Sequence, residues 1–151
     1  MRPVITCTRR YQFCAGHRVH GHENKCAQIH GHNYVAMITA RADDDGLDDI
    51  GRVIDFSVLK EKIGGWIDCH WDHQFIAWEK DDLLIDFRSE PEQSKANHLW
   101  PVFWLPDNPT AENMARYLLL EVGPRELAGT HVTLIAVRVW ETENCYADAT
   151  L

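Results

Sequence analysis

The stretch Cys26-Ala27-Gln28-Ile29-His30-Gly31-His32-Asn33-Tyr34 decides how this chain is read. His30 and His32 stand two residues apart, so on an extended strand both imidazoles leave the same face, as two ligands of one metal ion must. Cys26 lies upstream, where a loop can bring its thiol beside that metal. A third imidazole is available from His17, which shares the parity of Ile5, Cys7, Tyr11 and Phe13. Three neutral imidazoles and an open fourth position describe a catalytic zinc site, because structural sites close the tetrahedron with protein ligands. Two roles stay open for Cys26. As a fourth ligand it makes the site structural; left unligated beside a dication, its thiol is acidified and can act as base or nucleophile.

A second His-Gly-His, His20 to His22, rivals the first. It leads into Glu23-Asn24-Lys25 rather than a strand-forming run, so no sheet fixes its geometry, and His30 and His32 are preferred.

Working outward, Val4 to Phe13 alternates apolar and polar residues, as a strand with one covered face does. His17 to His32 is a polar connection holding five of the nine histidines, a density that packing alone does not explain. Asn33 to Ala42 continues as a second strand and ends at Asp43-Asp44-Asp45-Gly46, a turn signature. Ser57 is a plausible N-cap for a helix to about Cys69, with Leu59, Ile63, Trp66 and Ile67 as its apolar stripe. Gly64-Gly65 in its middle costs about 1 kcal/mol per Gly relative to Ala. His70 to Trp104 is hard to read: a turn at Glu79 to Asp82, a polar loop at Arg88 to Asn97 and a short strand at Val102 to Leu105. A second helix begins at Asn108 or Thr110, carries Ala111, Met114, Ala115, Leu118, Leu119 and Val122 at helical spacing, and stops at Gly123-Pro124. A long strand from His131 to Glu141 is apolar on both faces, and a further strand at the C-terminus is possible. This order implies one α+β domain over residues 1–151, with an antiparallel sheet covered on one face by two helices. The edges of so small a sheet need covering, and oligomerisation is one remedy.

Bulk composition narrows the classes. Apolar residues make up 45% and charged residues 25%, ordinary for a globular domain. A formal net charge of −8 argues against nucleic acid as a partner, whose binders carry basic patches. No apolar run is long enough for a membrane span and no signal peptide is apparent, so a cytoplasmic protein is expected. Five cysteines without a CxxC pair argue against a disulfide framework, and four of them, Cys26 excepted, are expected to pack. Arg9, Arg10, Arg18 and Lys25 are candidate cations for an anionic ligand.

Other residues invite chemistry more weakly. Asp72-His73 suggests a carboxylate orienting an imidazole, but neighbours on a strand point apart, so the pair needs loop geometry. Glu141 ends an apolar strand and could accept two hydrogen bonds from a guanidine-like edge. Thr110 and Glu112 are accounted for as an N-cap and a first-turn acid.

Phe13-Cys14-Ala15-Gly16-His17-Arg18, Cys26 to Tyr34, Val53-Ile54-Asp55-Phe56, Asp72-His73, Asn108-Pro109-Thr110-Ala111-Glu112-Asn113 and Trp140-Glu141-Thr142 together resemble the 6-pyruvoyl-tetrahydropterin synthase and 6-carboxytetrahydropterin synthase family. The resemblance implies the tunnelling fold, with a four-stranded antiparallel sheet, two helices on one face, and subunits that pair their sheets into a barrel, as a homohexamer of two trimers. It implies Zn²⁺ held by His17, His30 and His32, with Cys26, Asp72 and His73 as proton-transfer residues brought together at a subunit interface. Glu141 becomes the pterin anchor and Thr110 a further substrate-binding residue. The implied substrate is 7,8-dihydroneopterin triphosphate. Three residues separate Cys26 from His30, which looks like the bacterial 6-carboxytetrahydropterin synthases. Their products are 6-carboxy-5,6,7,8-tetrahydropterin, acetaldehyde and triphosphate, on the way to 7-deazaguanines such as queuosine. The alternatives are 6-pyruvoyl synthesis and a non-catalytic, zinc-stabilised pterin- or purine-binding module. The chain departs from the family at Gln74 to Trp78, where many members carry a Leu-Asn pair after Asp-His, and in the length of the 88–97 loop.

Overall fold

The alternation that opens the chain becomes strand β1, Thr6–His17, which pairs antiparallel with β2, His30–Ala42. β1 runs on through His17 and β2 starts at His30, so His17, His30 and His32 lie on the ladder, while His20 and His22 stay in the loop joining it. Four more strands complete one sheet: β3 (Gln74–Trp78), β4 (Val102–Leu105), β5 (Val132–Thr142) and β6 (Cys145–Thr150), in the order β4-β3-β1-β2-β5-β6. The computed structural model describes residues 1–85 and 101–151; the loop expected at Arg88 to Asn97 lies outside them.

The expectation of four antiparallel strands is corrected to six in a mixed sheet. β3 runs parallel to β1 and β4 parallel to β3. β4 is the short strand expected at Val102 to Leu105, whereas β3 and the parallel pairings are not written in the pattern, because a short apolar run shows no usable period.

β5 explains its own two-sided apolar pattern. Thr39 of β2 faces Ala136 while the next residue, Ala40, faces Leu134, so Ile135 is an extra residue, a β-bulge. Even positions Val132 and Leu134 are buried before it, odd positions Val137 and Val139 after it. The inversion puts Glu141 on the covered face.

Both helices cover that face. The first is continuous through Phe56–Leu59, a π-helical Lys60–Gly64 and Gly65–His70. Its cap is Asp55 and not Ser57: the Asp55 carboxylate accepts the Ser57 N–H at 2.8 Å and the Ser57 hydroxyl at 2.6 Å. Gly64 serves a close approach, since a Cβ there would sit 2.4 Å from the Tyr11 ring, whereas one on Gly65 would meet nothing within 4 Å. The second helix runs through Ala111–Tyr117, a π-helical Leu118–Val122 and Gly123–Glu126, packing on β5 and β6. Thr110 caps it, accepting the Asn113 N–H at 3.2 Å. Gly123-Pro124 does not stop it. The Gly123 N–H bonds to Leu118 O, and after that change of register Pro124 falls in a first turn, where a missing N–H costs little. Between the layers Tyr34, Ile38, Ile63, Ile67, Trp71, Met114, Leu118 and Leu134 are fully buried.

All five cysteines are free thiols, and Cys14, Cys69 and Cys145 are exposed rather than packed as expected. No helix among the described residues is long and apolar enough to cross a membrane.

The two glycines give a direct test of the packing. Gly64→Ala is expected to destabilise by about 1–2 kcal/mol through overpacking against Tyr11, while Gly65→Ala is neutral or stabilises by up to about 1 kcal/mol. Urea unfolding of both variants checks this.

Candidate functional site

Strand register builds the site. His17 is paired with His30 and Ala15 with His32 across the β1–β2 ladder, so two strands deliver three imidazoles to one face at one end of the hairpin. Ring centroids lie 4.5 Å apart for His17 and His30, 5.1 Å for His17 and His32, and 4.9 Å for His30 and His32. Tyr34, stacked on Phe13 at 5.1 Å, turns its ring against His32 and His17 and floors the cluster.

Hydrogen bonds fix what these rings can do. His17 Nδ1 lies 2.7 Å from Pro109 O and His30 Nδ1 2.7 Å from Gln28 O. A carbonyl only accepts, so each Nδ1 carries the proton and each neutral ring turns a bare lone pair outward at Nε2. Those two Nε2 atoms are 3.0 Å apart, and His32 Nε2 is buried with no hydrogen-bond partner among the described residues. Converging lone pairs with no donor between them suit a cation, and a backbone carbonyl on the far nitrogen is how a metal-bound histidine is commonly oriented. Burial, reinforced by the neighbouring imidazoles, pushes His17 down to about 4 against the opposing effect of the Pro109 carbonyl. Burial and then His30 likewise lower His32. The neutral, ligating form is therefore favoured. The residues fit zinc in a three-histidine site.

Glu141 borders the cluster, its Oε1 3.9 Å from His17 Nε2 and its Oε2 4.0 Å from His32 Nε2. Burial first, then the Glu112 carboxylate, raise its pKa, opposed by His30. Glu112, accounted for in the sequence as a helix-dipole acid, thus faces Glu141. Both line a cleft of about 300 Å³ with Cys26 and Thr110. Cys26 sits in a short 3₁₀ turn, Lys25–Ala27, and is not among the donors that gather within 4.8 Å, which are His17, His30 and His32.

Asp72 and His73 lie elsewhere. Together with Cys14 and Asn33, His73 lines a different cleft of about 490 Å³, which His32 also borders. Their cooperation is real: Asp72 Oδ2 meets His73 Nδ1 at 2.9 Å and Oδ1 accepts the Cys14 N–H at 2.9 Å. The loop geometry it needs comes from His73, whose φ of 58° is uncommon for a residue with a side chain. The rival His20 and His22 do not converge. His20 gathers with Asp81 and Asp82, but Asp81 is already held by Arg18, and His22 accepts the Asn24 N–H. Arg18 is consequently not a free cation.

Residues 6–150 match the family model described as 6-pyruvoyl tetrahydropterin synthase. A protein of Rickettsia bellii named 6-carboxy-5,6,7,8-tetrahydropterin synthase is 38% identical, over 96% of this chain and 99% of its own length. The chain belongs to the 6-pyruvoyl tetrahydropterin synthase family. As a member of this family of synthases it is an enzyme, as the sequence implies. A protein of the same name from Aquifex aeolicus is 30% identical over 93% of this chain and 94% of its own. Two solved structures share the fold: an uncharacterized protein from Wolinella succinogenes, TM-score 0.84 at 22% identity over 99% of both chains, and the Caenorhabditis elegans 6-pyruvoyl tetrahydropterin synthase, TM-score 0.66 at 23% identity over 99% of this chain and 96% of that one. The tunnelling fold expected of the family is the fold observed, widened to six strands.

The lowered His17 predicts an acid-sensitive fold. In chelator-treated protein His17 stays neutral down to about 4, whereas in the unfolded chain it takes a proton near 6.5, so its contribution is lost as pH falls through that window. The loss is roughly 3 kcal/mol. Urea titrations at several pH values should show this slope reduced in His17→Gln.

Proposed function

We propose that this enzyme converts 7,8-dihydroneopterin triphosphate to 6-carboxy-5,6,7,8-tetrahydropterin, acetaldehyde and triphosphate. The observation that carries the proposal is the convergence of three imidazoles beside a cleft that holds a thiol and a carboxylate. The choice of the 6-carboxy product is supported by the names of the Rickettsia bellii and Aquifex aeolicus relatives and by the three residues between Cys26 and His30.

His17, His30 and His32 are the residues that would hold zinc. When bound, the metal supplies Lewis acidity toward side-chain oxygens of the substrate. Glu141, at the base of the cleft, accepts hydrogen bonds from the guanidine-like edge of the pterin, with Thr110 beside it. Among the described residues neither oxygen of Glu141 accepts a hydrogen bond, and a ligand edge with two parallel N–H groups fills that need. Its separation of 3.9 Å and 4.0 Å from two imidazole nitrogens favours a second reading, in which it is a metal ligand. Cys26 moves a proton at the side-chain carbons, and His73, held by Asp72, moves another.

Because His73 and Cys26 line different clefts, the reading requires a second subunit to bring Asp72 and His73 to the Cys26 cleft. A homohexamer of two trimers, each chain one domain, is proposed on that ground. The helix-free sheet face, where Val35, Met37 and Trp140 stay half-exposed, supports burial against another copy.

Product identity by mass is the deciding experiment. Acetaldehyde and the 6-carboxy compound are expected from purified, zinc-loaded protein; a retained three-carbon side chain would make it a 6-pyruvoyl enzyme, and unchanged substrate a binding module. Cys26→Ala is expected to keep its zinc while losing at least about 10²-fold in turnover. Glu141→Gln should raise KM about tenfold or more with zinc content unchanged, and zinc loss there would support the ligand role instead.

A further inference from the structure

Arg18, the residue after the first metal-ligand candidate, spends its guanidinium inside the protein. Its side chain is 12% exposed and that of Asp81 1%. Arg18 Nη1 donates to Asp81 Oδ1, and Arg18 Nε donates to Ala27 O at 2.9 Å. The preceding peptide of the turn is also held, since the Val19 N–H donates to Cys26 O at 2.8 Å. The turn that carries Cys26 is thus gripped at two consecutive carbonyls. Asp81 is itself anchored, accepting the Leu83 N–H at 3.1 Å on the same oxygen, three residues beyond the end of β3, the strand that begins next to His73.

A buried ion pair is a poor way to gain stability, because desolvating both charges offsets most of their attraction and apolar residues often do as well. What it supplies is direction. A planar guanidinium presents donors at fixed angles to two acceptors at once, which an ammonium cannot reproduce. We propose that Arg18 and Asp81 form a positioning strut that sets the place of the Cys26 thiol, running from the end of β3 to the turn bearing that thiol. Arg18 is a positioning residue for the reaction and not a cation for the substrate's phosphates. The strut's catalytic importance rests on the reading of Cys26 given above; its hold on the turn does not.

The test separates the two. In full-length, zinc-loaded protein, Arg18→Lys keeps the charge and loses the fork; Arg18→Met combined with Asp81→Asn removes the strut without leaving a buried charge unpaired. Trypsin releases residues 26–41 with Cys26 as their sole cysteine, so the rate of iodoacetamide labelling at that thiol is read by mass, independently of turnover. Both variants are expected to keep wild-type zinc content, a melting temperature within about 5 °C and KM within about threefold, while kcat falls about 10–100-fold. Cys26 should be labelled at least about fivefold faster in the paired variant, as its turn is released. Unchanged labelling and kcat in the paired variant would overturn the strut, as would a fall in kcat matched by loss of zinc-loaded folded protein. Should Cys26→Ala still turn over, the reading of Cys26 falls and the labelling rates alone decide whether the strut holds the turn.

Discussion

Everything at this site depends on two hydrogen bonds that make no contact with the cleft. Pro109 O and Gln28 O each take the Nδ1 proton of a histidine, and by doing so turn both Nε2 lone pairs toward the same point. The resulting 3.0 Å approach of His17 and His30 is unfavourable between two acceptors and favourable around a cation. Pro109 opens the second helix and Gln28 precedes β2, so helix position and strand start are both tied to the electronic state of the cluster.

Sheet geometry then decides which carboxylate faces that cluster. Without the bulge at Ile135, strict alternation from Val132 and Leu134 would carry Glu141 to the helix-free side. One inserted residue reverses the parity and brings Glu141 within about 4 Å of two imidazoles. Glu112 arrives opposite it from the first turn of the second helix, whose start is set by the Thr110 cap. Two acids in one half-buried cleft raise the pKa of Glu141, a cost that a guanidine-like ligand would relieve.

The catalytic candidates are divided between two clefts. Cys26 shares one with Glu141 and Thr110, while Asp72 and His73 form an ordered pair at the start of β3 beside another. A left-handed backbone at His73 is the kind of strain found where function constrains a chain. The division is a property of a single subunit, and it makes assembly a chemical question as much as a structural one.

The sequence by itself determined the histidine pattern, the two helices and the long strands, because each is written in local spacing: period two around His30 and His32, helical spacing from Ala111 to Val122, family motifs in order. Only the tertiary structure decided the rest. β3 exists by pairing beside β1 and β4 takes its place by pairing beside β3, neither by its own periodicity. Asp55 displaced Ser57 as cap, and the π turn let Gly123-Pro124 remain helical. Glu112 became part of a cleft and Arg18 an internal strut, roles that depend on partners distant in sequence. The physical reason is common to all of them: a bulge, a changed helical register or a buried charge takes its energy from groups that meet only once the chain is folded, and local residue order carries no term for that meeting.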